Sequence, residues 1–542
     1  MKKIILIILI FTNITLFAQV EHVHIYHPVY DYLIRVEAKG LLPYFSTSQL
    51  PLQRKEIKYA LEELLKNKDQ LSENEFSVLT SYLKEFGIVD KETAVIIKSE
   101  TDQDQLFFSN LFKEKEKYVY NIEDSINSVR IEPLGSIEFM NQASDLNQNA
   151  LIAQGGGRIY GTIEGKLGYF LQATNGTLLN GNQDLLLNDR KLSQNIKLTE
   201  LNSDFDFTES HLRADFGNIY LYIGRESRLL GSGINQRLFN SDEAPPYDAI
   251  SMGYKNKRID YRFTHGSLLS TPIDSTREIG FNAEFYNKYI SQHRFALKFE
   301  KGEIALYEAV IYSRQIDIAY LNPFRFLKTL EHALRDRDNS LMGADFTYRP
   351  FSNFELKGSY ILDDIIFSEI GNNFWSNKSA YNLGFWYTPD FNIDLGLEYA
   401  RVEPYTFSHF NYQNSVLNDD RLLMGYLNPN SDKITLSSRY WWGGRYPIKL
   451  DVEYMRHGRN VFNSDTLFYN VGGDPLQTRR QIDNERVEFL DGDLLSTIST
   501  QLEFNFELTR NLNLGLIYRL TYNEQDEKLT HFVRTRIRFW EF

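Results

Sequence analysis

The last dozen residues constrain the fold most. From Thr530 onward Val533, Thr535, Ile537 and Phe539 are apolar or small, Arg534, Arg536 and Arg538 alternate with them, and the chain stops on Phe542. Side chains on a strand alternate faces, so this segment has one apolar and one cationic face. The pattern recurs in about eighteen segments from Arg130 onward, as expected where one face meets lipid and the other a wet lumen. The sequence therefore predicts an all-β transmembrane barrel of about 18 antiparallel strands, with a small N-terminal α-helical bundle on its periplasmic side.

The first residues agree with export. Lys2 and Lys3 precede an apolar stretch, Ile4 to Phe17, and Ala18 and Gln19 fit a cleavage site, so residues 1–19 read as a signal peptide. No later run approaches the roughly 18 apolar residues of a spanning helix. The chain has no cysteine, which excludes disulfides, thiolate metal sites and a lipidated cysteine. It holds 34 Tyr and 38 Phe yet has a negative mean hydropathy. A barrel reconciles these, because only alternate strand residues face lipid and aromatic girdles mark the interfaces. A net charge of −13 argues against nucleic acid as a partner. The expected location is the cell outer membrane.

Residues 20–100 read as a helical bundle. Its helices run from about Pro28 to Lys39, from Arg54 to Asn67, and from a Ser72–Glu75 capping box to Gly87. Residues 101–129 form a charged connector and 130–542 the barrel. Short turns, such as Gly217-Asn218, Asn256-Lys257 and Thr509-Arg510, alternate with long connections at 176–208, 227–246, 314–339, 403–432 and 458–495. That alternation matches tight periplasmic turns and long outer loops. Gly155-Gly156-Gly157 reads as a turn before a strand. Phe324, Leu327, Leu330 and Leu334 recur at helical spacing, predicting a short helix over or in the pore, or on top of other loops.

Lumen-facing charges include Arg262, Asp345, Arg349, Glu503, Arg519, Arg534, Arg536 and Arg538. Alternating arginines can grip sugar carboxylates bidentately. The structural reading, favoured here, pairs them with acids such as Glu132 and Glu138 on the strand that closes the barrel. Trp441 and Trp442, beside a short turn, read as interfacial girdle. Trp375, in an outer loop, is the better glycan platform. His22, His24 and His27 offer imidazoles for zinc or copper but read as a solvated, mobile terminus. No nucleophile elbow, phosphate loop or HExxH is present, so neither catalysis, cofactor nor metal is expected. An outer-membrane hydrolase built from scattered strand residues is the third-ranked function.

Several segments resemble the Wzi-type capsule-assembly proteins of outer membranes. They are HPVYDYLIRVEAKGLLPYFSTSQLPLQRKEIKYALEELL from His27, GRESRLLGSGINQRLFNSDEAPPYDAISM (224–252), YEAVIYSRQIDIAYLNPFRF (307–326), GYLNPNSDKITL (425–436) and RHGRN (456–460). The resemblance implies an 18-stranded barrel with a periplasmic bundle and a lectin-like, non-catalytic role in holding capsular polysaccharide. Within the matching segments it points to Arg225, Arg228, Asn235, Asp242, Tyr320, Asn322 and Arg325 as polysaccharide-binding candidates. Expected partners are capsular or other surface polysaccharide, outer-membrane lipid, and an export partner or peptidoglycan for the bundle. The alternative is a diffusion channel for sugars or small solutes.

Overall fold

The computed structural model describes residues 19–89, 93–95, 114–144, 147–270, 285–464 and 466–539. The signal segment apart from Gln19, the first part of the connector, and Trp540 and Phe542 lie outside them. Among the described residues 18 antiparallel strands close into a barrel, from Ser128–Ala143 to Lys528–Phe539. These two strands meet directly, with Phe539 opposite Gly135 and His531 opposite Ala143. The period-2 pattern survives closure. Ile137, Ile304, Leu306, Leu436 and Ile537 point outward and are exposed, whereas Glu138, Asp260, Glu303, Asp345 and Glu398 point inward and are buried. Gly155–Gly157 is not a turn. It lies inside the strand Asn147–Ile163, where a Cβ on Gly156 would sit 2.0 Å from the Ala173 carbonyl oxygen. The glycines admit close strand approach there.

Three helices precede the wall: α1 (Val29–Ala38), α2 (Arg54–Lys66) and α3 (Glu73–Glu85). The expected capping box closes α3. Glu75 N–H donates to Ser72 Oγ (3.2 Å) and Ser72 N–H to Glu75 Oε2 (2.8 Å). Helices this short are marginal alone. Leu33, Val36, Ile57, Leu61, Leu79 and Tyr82 form one buried cluster that also takes in Trp441 of the barrel. Trp441 is therefore not girdle: it is buried under the module and donates Nε1–H to Asp394 (2.7 Å). Trp442 stays exposed beside Phe504 and Phe506, as an interfacial ring does.

The module closes the short-turn end of the barrel. Asp31 pairs with Arg439 (3.0 Å) and Lys449 (2.8 Å), Glu85 with Arg445 (2.7 Å), Glu37 with Arg349 (3.4 Å) and Glu56 with Lys255 (2.5 Å). The segment before α1 goes further and threads into the lumen. His22, His24 and His27 are neither solvated nor free: they face Glu226 (2.9 Å), Glu209 (3.3 Å) and Glu85 (2.6 Å) respectively. Sequence spacing saw three neighbouring imidazoles; folding gave each its own carboxylate.

The helix expected over or in the pore, or on top of other loops, is α4 (Leu327–Ala333), and it lies elsewhere. It packs outside the barrel, against the strands Gly302–Tyr312 and Asn339–Tyr348. Its Glu331 carboxylate accepts from Ser340 Oγ (3.3 Å), a residue on the outward parity of its strand.

Candidate functional site

The chain between the strands Ile219–Glu226 and Tyr247–Lys255 folds into the lumen rather than over it. Gly231 (φ +102) and Gly233 turn it, and a Cβ on Gly233 would lie 2.0 Å from the Gln236 carbonyl oxygen. Leu229–Leu230 pairs with Gln49–Leu50 of the module. Beyond the turn the loop crosses to the opposite wall, where Ile234 and Asn235 N–H both donate to the buried Glu398 carboxylate (2.8 Å each). Asn235 Nδ2 reaches Ser437 Oγ (3.0 Å), and Phe239 stacks on Tyr307 at 4.3 Å. Wall glycines make room: a Cβ on Gly384 would lie 2.8 Å from Ile234, and one on Gly343 2.7 Å from Phe239.

A second loop, 403–430, descends onto the first. Ser241 N–H donates to Leu423 O (3.0 Å) and Gly425 N–H to Arg237 O (3.1 Å). Leu238, Phe239, Phe407, Val416, Leu423 and Met424 then form an apolar plug inside the barrel. Asp242 ties the pieces together. Its carboxylate accepts from Tyr26 of the module, Tyr426 of the second loop (2.7 Å) and Arg190 of a third (3.2 and 3.3 Å). Burial by itself would raise this carboxyl, but Arg190, Lys191 and the two phenols hold it well below the usual range.

Above the plug, at the long-loop end, opens a cleft of ≈ 1000 Å³. Its lining mixes Glu243, Asp420, Arg421, Arg459, Asp474 and Asp493 with Tyr426 and Phe462. Arg421 donates to Ser193 O (3.0 Å), Asp420 accepts from Tyr412 Oη (2.5 Å), and Arg459 pairs with Asp493. Burial pushes the Asp474 carboxyl up. Carboxylates, guanidiniums and aromatic faces around one open cleft match the hydroxyls and C–H faces of a saccharide.

The sequence-derived candidates scatter over the molecule. Asp242 and Asn235 hold the plug beneath the cleft. Arg228 is buried, bonded to Tyr222 Oη (3.1 Å) and stacked near Tyr247. Arg225 faces outward and pairs with Asp248 (2.8 Å). Tyr320, Asn322 and Arg325 belong to the segment on the outer wall, where Tyr320 Oη donates to Asp338 (2.8 Å). Trp375 lies in an outer-loop pocket of its own, with the Arg479 guanidinium 4.8 Å from its ring. The lumen charges all have partners. Asp345 pairs with Arg294 (2.7 Å), Arg349 with Glu37 and Glu355, Arg534 with Glu138 (2.6 Å) and Asp189 (2.7 Å), and Arg536 with Glu503 (3.3 Å). Arg262 bonds Tyr220, Arg519 bonds Gln501 and Arg538 bonds Asn505. Arg519 is exposed inside the lumen, so water enters beside the strands 493–539. That inlet ends where Asn513 and Arg538 are buried and Arg510 donates to Ser81 O (2.9 Å) of α3.

Asp420, Arg421 and Asp474 were missed because they sit in loops without alternation; Tyr426 and Arg459 lay unweighted inside the segments GYLNPN and RHGRN, Arg459 at the end of the strand Ile448–Arg459. Among the described residues His22, His211 and Glu226 bring ligand atoms within 4.8 Å of one another. Arg213, 3.4 Å from His22, and Arg228, 3.6 Å from Glu226, already supply positive charge there and disfavour a cation.

Docking of the module depends on pH in a defined direction. Burial pushes the His22 imidazole down to about 4, despite Glu226. Against burial, Lys255 holds Glu56 at about 2, and His27 and Arg445 hold Glu85 well below its ordinary value. A depressed folded value means stability present above the unfolded value and lost as pH falls toward the folded one. The imidazole term fades between 6.5 and about 4, and the Glu56 carboxylate term between 4.5 and about 2. Limited proteolysis of vesicle-embedded protein is expected to spare the module at pH 7 and cut it increasingly below about pH 4. Equal protection at both would contradict the pairing.

No family model and no curated protein matches the sequence. Among solved structures the chain is similar to Wzi, described as an outer-membrane protein involved in group 1 capsule assembly in Escherichia coli and a carbohydrate-binding β-barrel. The TM-score is 0.56 at 11% identity, over 95% of this chain and 99% of that one. OprD of Pseudomonas aeruginosa (TM-score 0.42, 10% identity, 76% of this chain and 92% of that one) and OccAB4 of Acinetobacter baumannii (0.44, 10%, 76% and 97%) align more distantly. The fold is that of outer-membrane barrels, and the likeness to Wzi spans nearly the whole chain.

Proposed function

We propose that this Wzi-like barrel is an outer-membrane protein that binds and retains capsular or other surface polysaccharide, without turning it over. One observation carries the reading: the lumen is plugged, and a polar cleft with aromatic faces opens above the plug on the long-loop side. A polymer presents the same saccharide repeatedly, so modest affinity per contact is multiplied along the chain. The short-turn end, with its helical module, faces the periplasm in this reading, where it meets an export partner or peptidoglycan. Arg225, Trp375 and the outer loops extend the surface on which a long glycan can rest.

The test is direct. Purified protein is titrated with the native surface polysaccharide. Asp420→Ala and Arg459→Ala are each expected to weaken binding about tenfold, the loss of one to two hydrogen bonds involving a charged group. A deletion strain should shed polysaccharide into the medium while synthesis continues. Unchanged affinity in both variants, or full retention by the deletion strain, would overturn the reading. The runner-up, a diffusion channel, rests on the wet inlet at Arg519.

A further inference from the structure

The segment 313–338 leaves the long-loop rim and lies on the outside of the wall. Several outward-parity residues beneath it are polar, unlike Phe295, Ile304 and Leu306 around them. Each bonds the segment or a neighbour that does. Ser291 Oγ donates to Tyr320 O (2.8 Å), His293 pairs with Glu308 (2.8 Å), and Glu308 accepts from Leu327 N–H (2.9 Å). Tyr261 Oη donates to Pro323 O, and Phe324 stacks over the Tyr261 ring at 6.4 Å. Tyr261 is the third residue of the strand Ile259–Ser267, next to the short-turn end. The segment therefore reaches well down the band that the strands span.

Irregular backbone does not survive in hydrocarbon unless its polar groups are satisfied. Here the wall takes Tyr320 O, Pro323 O and Leu327 N–H. The stretch 316–326 turns large apolar side chains outward: Ile318 and Phe324 are each 81% exposed, and Ile316 and Phe326 more than half, with Asn322 and Arg325 between them. The exposed Arg335, Asp336 and Arg337 lie beyond it, where the chain returns to the strand Asn339–Tyr348 at the long-loop rim. Beside it the outer wall holds a groove of ≈ 480 Å³ lined by Leu212, Leu221, Ile223, Ile250, Phe263 and the segment's own Leu321. The groove is continuous with the outward apolar face of the barrel, and its chemistry is that of an acyl chain.

We propose that the stretch 316–326 of this segment is a flap inserted into the bilayer, with the charged residues 335–337 kept at the rim; it seals a polar patch of the wall and, with Leu321, seats a lipid acyl chain. The barrel is thereby gripped by lipid through a loop as well as through strands. This inference does not depend on what the cleft binds.

The chain has no cysteine, so single labels are clean. Phe324→Cys and Ile318→Cys, each carrying a nitroxide, are reconstituted in phosphatidylethanolamine vesicles, with Leu201→Cys, 99% exposed, as the aqueous reference. Power saturation compares oxygen with a water-soluble nickel chelate. The oxygen-to-nickel accessibility ratio is expected to be severalfold higher at 318 and 324 than at 201. Adding Glu308→Ala, in protein that still shows the heat-shifted gel mobility of a folded barrel, should bring the ratio at 324 toward the reference. Ratios at 318 and 324 equal to that at 201 would overturn the proposal.

Discussion

Planar bilayers holding the intact protein are expected to show negligible conductance, and deletion of residues 20–89 should raise it about tenfold or more, because 16- to 18-stranded barrels otherwise leave an aqueous channel. The expectation follows from where the wet inlet stops. Water reaches Arg519, yet Asn513 and Arg538 below it are buried, and α3 covers Arg510. The module is thus the floor of the inlet. The loop from Leu229 to Asp242 and the descending loop 403–430 fill the other side, so the deletion should open part of the cross-section. Shortening the loop at 231–239 in addition should widen it further. A large, stable conductance in the intact protein would favour the diffusion channel over glycan retention, since a sealed lumen underlies the proposed role.

The second large effect concerns Arg35. It is 1% exposed and touches two carboxylates, donating Nε–H to Glu75 (2.8 Å) on α3 and pairing with Asp394 of the wall. Its remaining N–H groups point to the Pro389 and Phe391 carbonyls of a short turn. One guanidinium thus joins α1, α3 and the barrel. Arg35→Ala removes the cation and leaves both acids buried, which typically costs about 3–5 kcal/mol. Lys39 (3.0 Å from Glu75) and Trp441 (2.7 Å from Asp394) compensate in part, placing the effect toward the lower end of that range. The module should be released at much lower temperature or denaturant, read by protease access while the barrel keeps its folded gel mobility. Lys66→Ala, which breaks the exposed pair with Glu63, should change nothing measurable. Equal behaviour of the two variants would mean that the Arg35 network does not hold the module.

The architecture was legible in the sequence, whereas several side chains and loops lie elsewhere than their local pattern suggests. Strand number, parity and the alternation of short and long connections were legible because each is a local signal with period 2. The helices of the module were legible through capping and 3.6-residue periodicity. The seam arginines could be seen to face inward, and Glu138 could be picked as an acid near them. Their other partners, Asp189 in a loop and Glu503 and Asn505 on a neighbouring strand, carry no local mark. The cleft was the least legible part, for Asp420, Arg421 and Asp474 come from loops without period, and Arg459 and Asp493 mark only the rim ends of their strands.

The alternation of apolar and charged residues determined by itself that this chain closes on its own edge, since each strand needs an oily side and a wet side at once. It determined in or out for most wall residues, though not around Gly155–Gly157, nor at polar outward positions such as Ser291 and His293. Depth, and which loop goes where, it left open. Whether 227–246 turns inward, whether 313–338 lies on the outer wall, and which of the three early histidines meets which acid depend on contacts between residues far apart in sequence, 204 positions for His22 and Glu226 and 216 for Tyr26 and Asp242. Those contacts exist only after closure, when a buried carboxylate such as Glu398 must find donors and a polar patch such as His293–Glu308 must be covered. The physical reason is that desolvation acts on the assembled interior, whereas strand parity acts on two residues at a time.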